Sequence, residues 1–225
     1  MCLIALAHLA SPRFPFVLAA NRDELYARPS HAADFWPDAP EVFGGRDAVA
    51  GGSWLAITRG GRFAAVTNLR GATPSVRSRG DLVRGFVTSD ADPVTYAKSL
   101  ELSQYAGFHL LAGEIGRTIV YVASSGELVL LERGVYAFSN APTGEHWPKE
   151  RLAIDAVERA LNSEAMTDEL LRFLTTPRNT GTVENEVFIR SELYGTRAST
   201  VIVASAGGIS FVEQQATGAR VARLL

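Results

Sequence analysis

The sequence has only one cysteine in 225 residues, so it cannot form an intramolecular disulfide. A reducing compartment therefore fits the chain best, and we predict a cytoplasmic location. Its four histidines lie far apart and have no cysteine partners at a metal-ligand spacing, so we predict no metal and no cofactor. The formal net charge is −2, which gives no overall attraction to nucleic acid or to an anionic membrane.

Long apolar runs are also missing from the sequence. No uninterrupted apolar stretch has the length that a membrane-spanning helix needs, so we expect no integral membrane segment. The apolar start of the chain, residues 3–20, is interrupted at 11–13 and at Pro15, and no charge precedes Leu3. A secretory signal needs a basic start and an unbroken apolar region, so we expect a pair of short strands here instead.

The composition that remains is typical of a soluble globular protein, with 47% hydrophobic and 20% charged residues. The length suffices for one sizeable core, and we predict a single domain over residues 1–225. Basic residues form one local group, consisting of Arg70, Arg77, Arg79 and Arg84. We interpret this group as a solvated face in preference to a phosphate-binding site.

The pattern of apolar residues predicts short strands interrupted by a few helices. Strands are predicted at residues 3–9, 15–20, 53–58, 62–68, 107–113, 117–123, 127–131, 135–139, 197–204 and 209–215. Helices are predicted at residues 79–88, 93–102, 148–161 and 168–174. The segment 26–52 is rich in Pro, Gly and Asp and is predicted to be irregular. Because strands and helices do not alternate regularly, we expect an α+β fold with antiparallel sheets and helices packed outside them.

Cys2 directly follows Met1 and allows two interpretations. A free cysteine packs as a small hydrophobic residue, and this structural interpretation is the better one for Cys2 taken alone. Removal of Met1 would instead expose the α-amine of Cys2, which titrates near neutral pH and can accept the proton of the thiol. Nucleophile and base would then belong to one residue, as in N-terminal threonine enzymes.

Four polar residues, Asn21, Arg22, Asp23 and Glu24, directly follow an apolar strand. They could form a solvated turn. Antiparallel pairing of the first two strands, however, returns Asp23 to the neighbourhood of Cys2, where its carboxylate could hold the amine or orient the nucleophile. We predict Asp23 as a catalytic residue and the other three as substrate-binding residues.

Three more polar residues lie at predicted strand ends. Asn68 and Asn140 end strands, and Arg197 begins one. Asparagine amides can stabilise an oxyanion, and loss of one such donor costs about 3–4 kcal/mol of transition-state stabilisation. An arginine near a cysteine favours its thiolate. Each asparagine alone is more often a turn residue, but together these residues favour a catalytic site.

These stretches resemble the NRDE family, which includes the eukaryotic transport and Golgi organisation protein 2. The resemblance spans nearly the whole chain and rests on the motifs MCLI, AANRDE, GGSWLAI, FAAVTN, SRGDLV, FSNAP and YGTRAST. A more distant resemblance links the chain to cysteine N-terminal-nucleophile hydrolases of the choloylglycine hydrolase and penicillin V acylase type. It rests on the order Cys2, Asp23, Asn68, Asn140 and Arg197, and it implies a four-layer αββα sandwich.

The distant resemblance implies a hydrolase that cleaves a linear, non-peptide amide, or a related ester or thioester, in a small acylated molecule. One departure concerns the arginine that such enzymes carry a few residues before the aspartate, because the candidate here, Arg22, is immediately adjacent to Asp23. The alternative is a non-catalytic carrier of lipid, acyl-CoA or haem on the same scaffold. A chain that keeps Met1 would have only an ordinary thiol at Cys2, which favours the carrier. The sequence does not predict an oligomeric state.

Overall fold

The structure, a computed structural model, describes residues 2–69 and 75–225. These residues form two compact units. The terminal unit contains the chain up to Arg28 and from Arg133 onward, and the central unit contains Pro29–Glu132. Each unit is built on one antiparallel sheet.

Strands provide most of the regular structure in the described residues. They are β1 (Leu3–His8), β2 (Phe16–Leu25), β3 (Ser30–Trp36), β4 (Ala39–Asp47), β5 (Leu55–Thr58), β6 (Arg62–Asn68), β7 (Phe108–Glu114), β8 (Ile119–Ala123), β9 (Leu128–Leu130), β10 (Gly134–Phe138), β11 (Tyr194–Ser205), β12 (Gly208–Gln215) and β13 (Arg220–Leu224). The α-helices are α1 (Gly80–Val87), α2 (Pro93–Lys98), α3 (Pro148–Ala160) and α4 (Met166–Thr175). No helix in the described part of the chain is long and apolar enough to cross a bilayer.

The sheet of the terminal unit has the strand order β10-β1-β2-β11-β12-β13. Side chains alternate between the two faces of a strand, and the face that contains Ala5 and Val17 packs against α3 and α4. Both helices present apolar residues at helical spacing to this face, among them Val157 of α3 and Leu170 of α4. Residues of the opposite face, such as Leu6, are buried as well.

The sheet of the central unit has the order β3-β4-β5-β6-β7-β8-β9, with α1 packed on β6. The prediction that residues 26–52 are irregular is wrong, because β3 and β4 form a hairpin there. Trp36 is buried, and its indole Nε1 donates a hydrogen bond to the carbonyl oxygen of Gly44 at 2.9 Å. A Cβ at Gly44 would lie 2.9 Å from the Cα of Ala56 in β5, so this glycine permits a close approach of strands.

Two other predictions differ from the structure. The helix predicted at 93–102 ends at Lys98, and a short 3-10 turn follows at Leu102–Gln104. The last strand, β13, was not predicted, because its residues are mostly exposed and its composition is strongly basic.

The group of basic residues has partners within the central unit. Arg77 pairs with Asp81 at 3.6 Å, Arg84 with Asp38 at 3.2 Å, and Arg79 donates to the carbonyl oxygen of residue 107 at 3.2 Å. Arg70 lies outside the described residues. These contacts account for the three described arginines as surface and turn-stabilising residues.

Candidate active site

Cys2 lies at the start of β1, between β10 and β2, and is only 7% exposed. The last residue pair between β1 and β10 is Ile4 with Phe138. Following both strands two residues past this pair leads to Cys2 and Asn140. On the other side of β1, Leu3 pairs with residue 21, so the next step leads from Cys2 to Arg22. The register of the sheet therefore sets the neighbours of Cys2.

Asp23 follows in the same strand and is 3% exposed. One carboxylate oxygen, Oδ1, accepts a hydrogen bond from the hydroxyl of Thr196 at 2.5 Å. The backbone carbonyl of Asp23 accepts another from the hydroxyl of Tyr194 at 3.0 Å. Burial raises the pKa of Asp23 to about 6, although the Thr196 hydroxyl and the positive charge of Lys149 act in the opposite direction. The carboxyl group therefore titrates close to neutral pH.

Asn140 is 1% exposed and lies in the turn that joins β10 to the loop before α3. Ser139 fixes this turn, since its hydroxyl donates to Oε1 of Glu150 at 2.5 Å and accepts from the backbone N–H of Ala141 at 3.2 Å. The second oxygen of Glu150 contacts Nδ1 of His146 at 2.9 Å. The turn with Asn140 is thus tied to the first turn of α3.

Lys149, in that first turn of α3, is a residue that the sequence analysis missed. It is 1% exposed, and its ammonium interacts electrostatically with Asp23 and Cys2. Burial lowers the pKa of Lys149, while the nearby acidic groups raise it in part. Its Nζ also lies 5.1 Å from the ring centre of Trp147. The only signal in the sequence was proximity to the FSNAP motif, because a lysine in the first turn of an amphipathic helix normally faces solvent.

Asn21, predicted to bind substrate, makes structural contacts. Its side-chain amide Nδ2 donates to the backbone carbonyls of Leu174 and Val187, each at 2.8 Å. These bonds join β2 to the end of α4 and to the loop after it. Arg22 is buried and forms an ion pair with Glu24 at 3.9 Å.

Arg197 occupies a β-bulge between β11 and β2. Its guanidinium Nη1 donates to the backbone carbonyls of Leu25, Tyr26 and Arg28 at 3.0, 3.1 and 3.1 Å. Arg197 therefore holds the end of β2 and the residues that follow it.

The terminal unit brings together four of the groups discussed above, namely Cys2, Asp23, Asn140 and Lys149. Asn68 ends β6 in the central unit, where it pairs with Phe108 of β7. Within the described residues, no group of three or more His, Cys, Asp or Glu side chains could hold a metal ion.

Comparison with known proteins identifies the family. The family model described as Transport and Golgi organisation 2 matches residues 1–218. The chain belongs to this family. The predicted family resemblance is therefore confirmed.

Curated members of the family cover most of the chain. The homolog from Bos taurus is 36% identical and covers 91% of this chain and 88% of its own length. The homolog from Homo sapiens is 35% identical and covers 89% of this chain and 86% of its own length. The protein from Drosophila melanogaster is 26% identical, with 97% and 93% covered.

Solved structures identify the fold. A mutant conjugated bile acid hydrolase from Clostridium perfringens matches with a TM-score of 0.60 and 9% identity, covering 100% of this chain and 92% of the other. An N-acylethanolamine-hydrolyzing acid amidase ortholog from Caenorhabditis elegans matches with a TM-score of 0.56 and 12% identity, covering 90% and 92%. At these identities the likeness concerns the fold alone. It confirms the predicted α+β class, the αββα sandwich of N-terminal-nucleophile hydrolases.

Proposed function

We propose that this family member is an N-terminal-cysteine hydrolase that cleaves a non-peptide amide, ester or thioester of a small acylated molecule. The observation that supports it most is a buried cysteine at a strand start that shares one compact unit with the buried polar groups of Asp23, Asn140 and Lys149. The two solved structures of the same fold add support, since one is a conjugated bile acid hydrolase and the other an N-acylethanolamine-hydrolyzing amidase.

The proposed reaction begins after removal of Met1. The α-amine of Cys2 accepts the proton of the thiol, and the sulfur forms a bond with the carbonyl carbon of the substrate. The side-chain amide of Asn140 donates a hydrogen bond to the oxyanion of the tetrahedral intermediate. Asp23 holds the α-amine in place.

Collapse of the intermediate breaks the bond to the leaving group, which takes the proton from the α-ammonium. This leaves an acyl thioester on Cys2. Water then attacks the thioester carbonyl, gives its proton to the α-amine, and releases the acid and the thiolate. Each step uses the same two groups of Cys2, so the site needs no further base.

Several predicted roles complete the proposal. The bonds of Arg197 to three backbone carbonyls favour a structural role for it over support of the thiolate. Arg22 and Glu24 would contact the substrate, whereas the bonds of Asn21 to two backbone carbonyls favour a structural role for it.

Intact-mass measurement of the purified protein tests the first requirement, since loss of Met1 must be observed. Incubation with N-acyl amino acids, N-acyl lactones and acyl-CoAs then tests turnover, and an acyl adduct on Cys2 is expected as an intermediate. Cys2→Ala should abolish both turnover and adduct, and Cys2→Ser should abolish turnover. Thermal unfolding of each variant controls for loss of the fold.

The carrier alternative predicts the opposite result. The hydrolase would be contradicted if the wild-type protein retained Met1 and showed neither turnover nor adduct. Tight reversible binding of lipid, acyl-CoA or haem that Cys2→Ala leaves intact would then favour a carrier.

A further inference from the structure

The strand β11 has its β-bulge at the point where it passes Asp23. Thr196 pairs with Asp23, but the next pair is Ala198 with Arg22, so Arg197 is the extra residue of the bulge. Without the bulge, the pairing of Ala198 with Arg22 would bring Arg197 opposite Asp23. The bulge therefore places a neutral hydroxyl group, and not a guanidinium, opposite the buried carboxyl group.

The hydroxyl group of Thr196 is fixed by a second hydrogen bond. It donates to Oδ1 of Asp23 at 2.5 Å, and its oxygen accepts from the backbone N–H of Ile189 at 2.9 Å. The backbone N–H of Thr196 donates in turn to the carbonyl oxygen of Ile189 at 2.8 Å. A carboxylate has no proton to give, so the hydroxyl must be the donor whenever Asp23 is charged. Both Thr196 and Ile189 are buried.

We propose that Thr196 is a positioning residue of the Cys2 site, which holds the carboxylate of Asp23 in the orientation that keeps the α-amine of Cys2 in place. This inference rests on the proposed function and adds a residue to it. The hydroxyl of Thr196 occupies Oδ1 of Asp23, which leaves Oδ2 for the amine. Thr196 acts through Asp23 and does not itself contact the substrate.

Other groups around Asp23 differ from this hydroxyl in what they do. Lys149 of α3 acts on the carboxyl group through its charge, and Tyr194 of β11 donates to the backbone carbonyl of Asp23 at 3.0 Å. Arg22 and Glu24 form an ion pair with each other at 3.9 Å, and as the chain neighbours of Asp23 they point to the opposite face of β2. Removal of the hydroxyl therefore changes one hydrogen bond of the carboxylate and no charge.

NMR of protein labelled with ¹³C at the aspartate side-chain carboxyl carbon measures the titration of Asp23, and its resonance is identified by its loss in Asp23→Asn. Thr196→Val removes the hydroxyl and keeps the shape of the side chain. Because a hydrogen bond to the charged form is lost, the pKa of Asp23 should rise from about 6 by about one pH unit. Thr196→Ser keeps the hydroxyl and should titrate as the wild type does.

Thr200→Val is the matched control, since it makes the same substitution at another buried position of β11. The hydroxyl of Thr200 lies 3.4 Å from Oε2 of Glu213, so its loss should leave the titration of Asp23 unchanged. A purely structural role for Thr196 would lower the stability of both variants without moving this titration. An unchanged pKa of Asp23 in Thr196→Val, or an equal shift in Thr200→Val, would overturn the inference.

Thr196→Val can fail to fold, because it leaves the N–H of Ile189 without its acceptor. The wild type then supplies the measurement. Hydrogen bonds in a chain polarise one another, so the amide resonance of Ile189 should move with the titration of Asp23 and should stay in place around pH 6 in Asp23→Asn. An Ile189 amide that does not move while Asp23 titrates would overturn the inference.

These titrations need no substrate, so a failure of the hydrolase proposal in the turnover assay is seen separately. With a substrate from that assay, Thr196→Val should lower kcat about tenfold and leave KM nearly unchanged, whereas Thr196→Ser should keep the kcat of the wild type. An unchanged kcat in Thr196→Val would overturn the inference.

Discussion

Asp23→Asn should make the protein more stable at neutral pH and abolish the proposed hydrolase activity. Burial raises the pKa of this carboxyl group from 3.8 to about 6. Asparagine has nearly the shape of a protonated aspartate and carries no charge, and its side-chain oxygen can still accept the hydrogen bond from Thr196. The substitution therefore mimics the protonated form of residue 23, whose burial costs less free energy than burial of the carboxylate.

The size of this stability gain follows from the shift in the pKa of Asp23. The difference between 3.8 and about 6 is roughly two pH units, and at 1.36 kcal/mol per unit this is about 3 kcal/mol. Between these two pH values the folded state holds the proton of Asp23 more tightly than the unfolded state does. The contribution of Asp23 to stability is therefore full below pH 3.8, falls as the pH rises, and stays about 3 kcal/mol lower above pH 6.

Equilibrium unfolding in urea from pH 4 to pH 8, followed by circular dichroism, measures this effect. The gain of Asp23→Asn over the wild type should be near zero at pH 4 and about 3 kcal/mol at pH 7. The exposed substitution Asp90→Asn is the matched control and should give no pH-dependent difference. Equal effects of Asp23→Asn at all pH values, or a loss of stability at pH 7, would refute the reasoning.

Two further substitutions test the contacts that hold the site. Asn21→Ala leaves the carbonyls of Leu174 and Val187 without their amide donor, and urea unfolding should show a loss of about 3 kcal/mol; unchanged stability would contradict a structural role. Glu150→Gln weakens the charge-assisted bond from Ser139, so the urea midpoint should fall by the equivalent of about 1–2 kcal/mol, and kcat of any hydrolytic activity should fall more than KM changes.

The sequence was sufficient for most of the fold because the strands of the two sheets are apolar and short. It failed at residues 26–52, where glycine and proline suggested a loop. There, Gly44 allows β4 and β5 to approach each other closely, and the buried side chain of Trp36 supplies apolar contact. Composition does not distinguish a glycine in a turn from a glycine between two strands, because only the tertiary neighbour differs.

Parts of the candidate site could be predicted for a geometric reason. Cys2 and Asp23 belong to adjacent antiparallel strands, and Asn140 directly follows β10, which pairs with β1. Lys149 could not be found this way. Its position depends on how α3 packs on the sheet. The local periodicity of apolar residues does not predict this packing when a charged residue of the helix faces inward.

The two buried charges bear on the proposed role of Cys2. A structural thiol needs only apolar neighbours, and replacing a buried ion pair by apolar residues of similar size is often neutral or stabilising. The structure instead keeps Asp23 with a raised pKa and Lys149 with a lowered pKa in the same compact unit as the thiol, so the pKa of each is shifted toward neutral pH. Such groups are typical of sites that move protons. A structural interpretation explains the burial of Cys2 but gives no reason for these charges. The proposed hydrolase gives a reason for all three residues together, because in it stability is given up to hold a nucleophile and its amine.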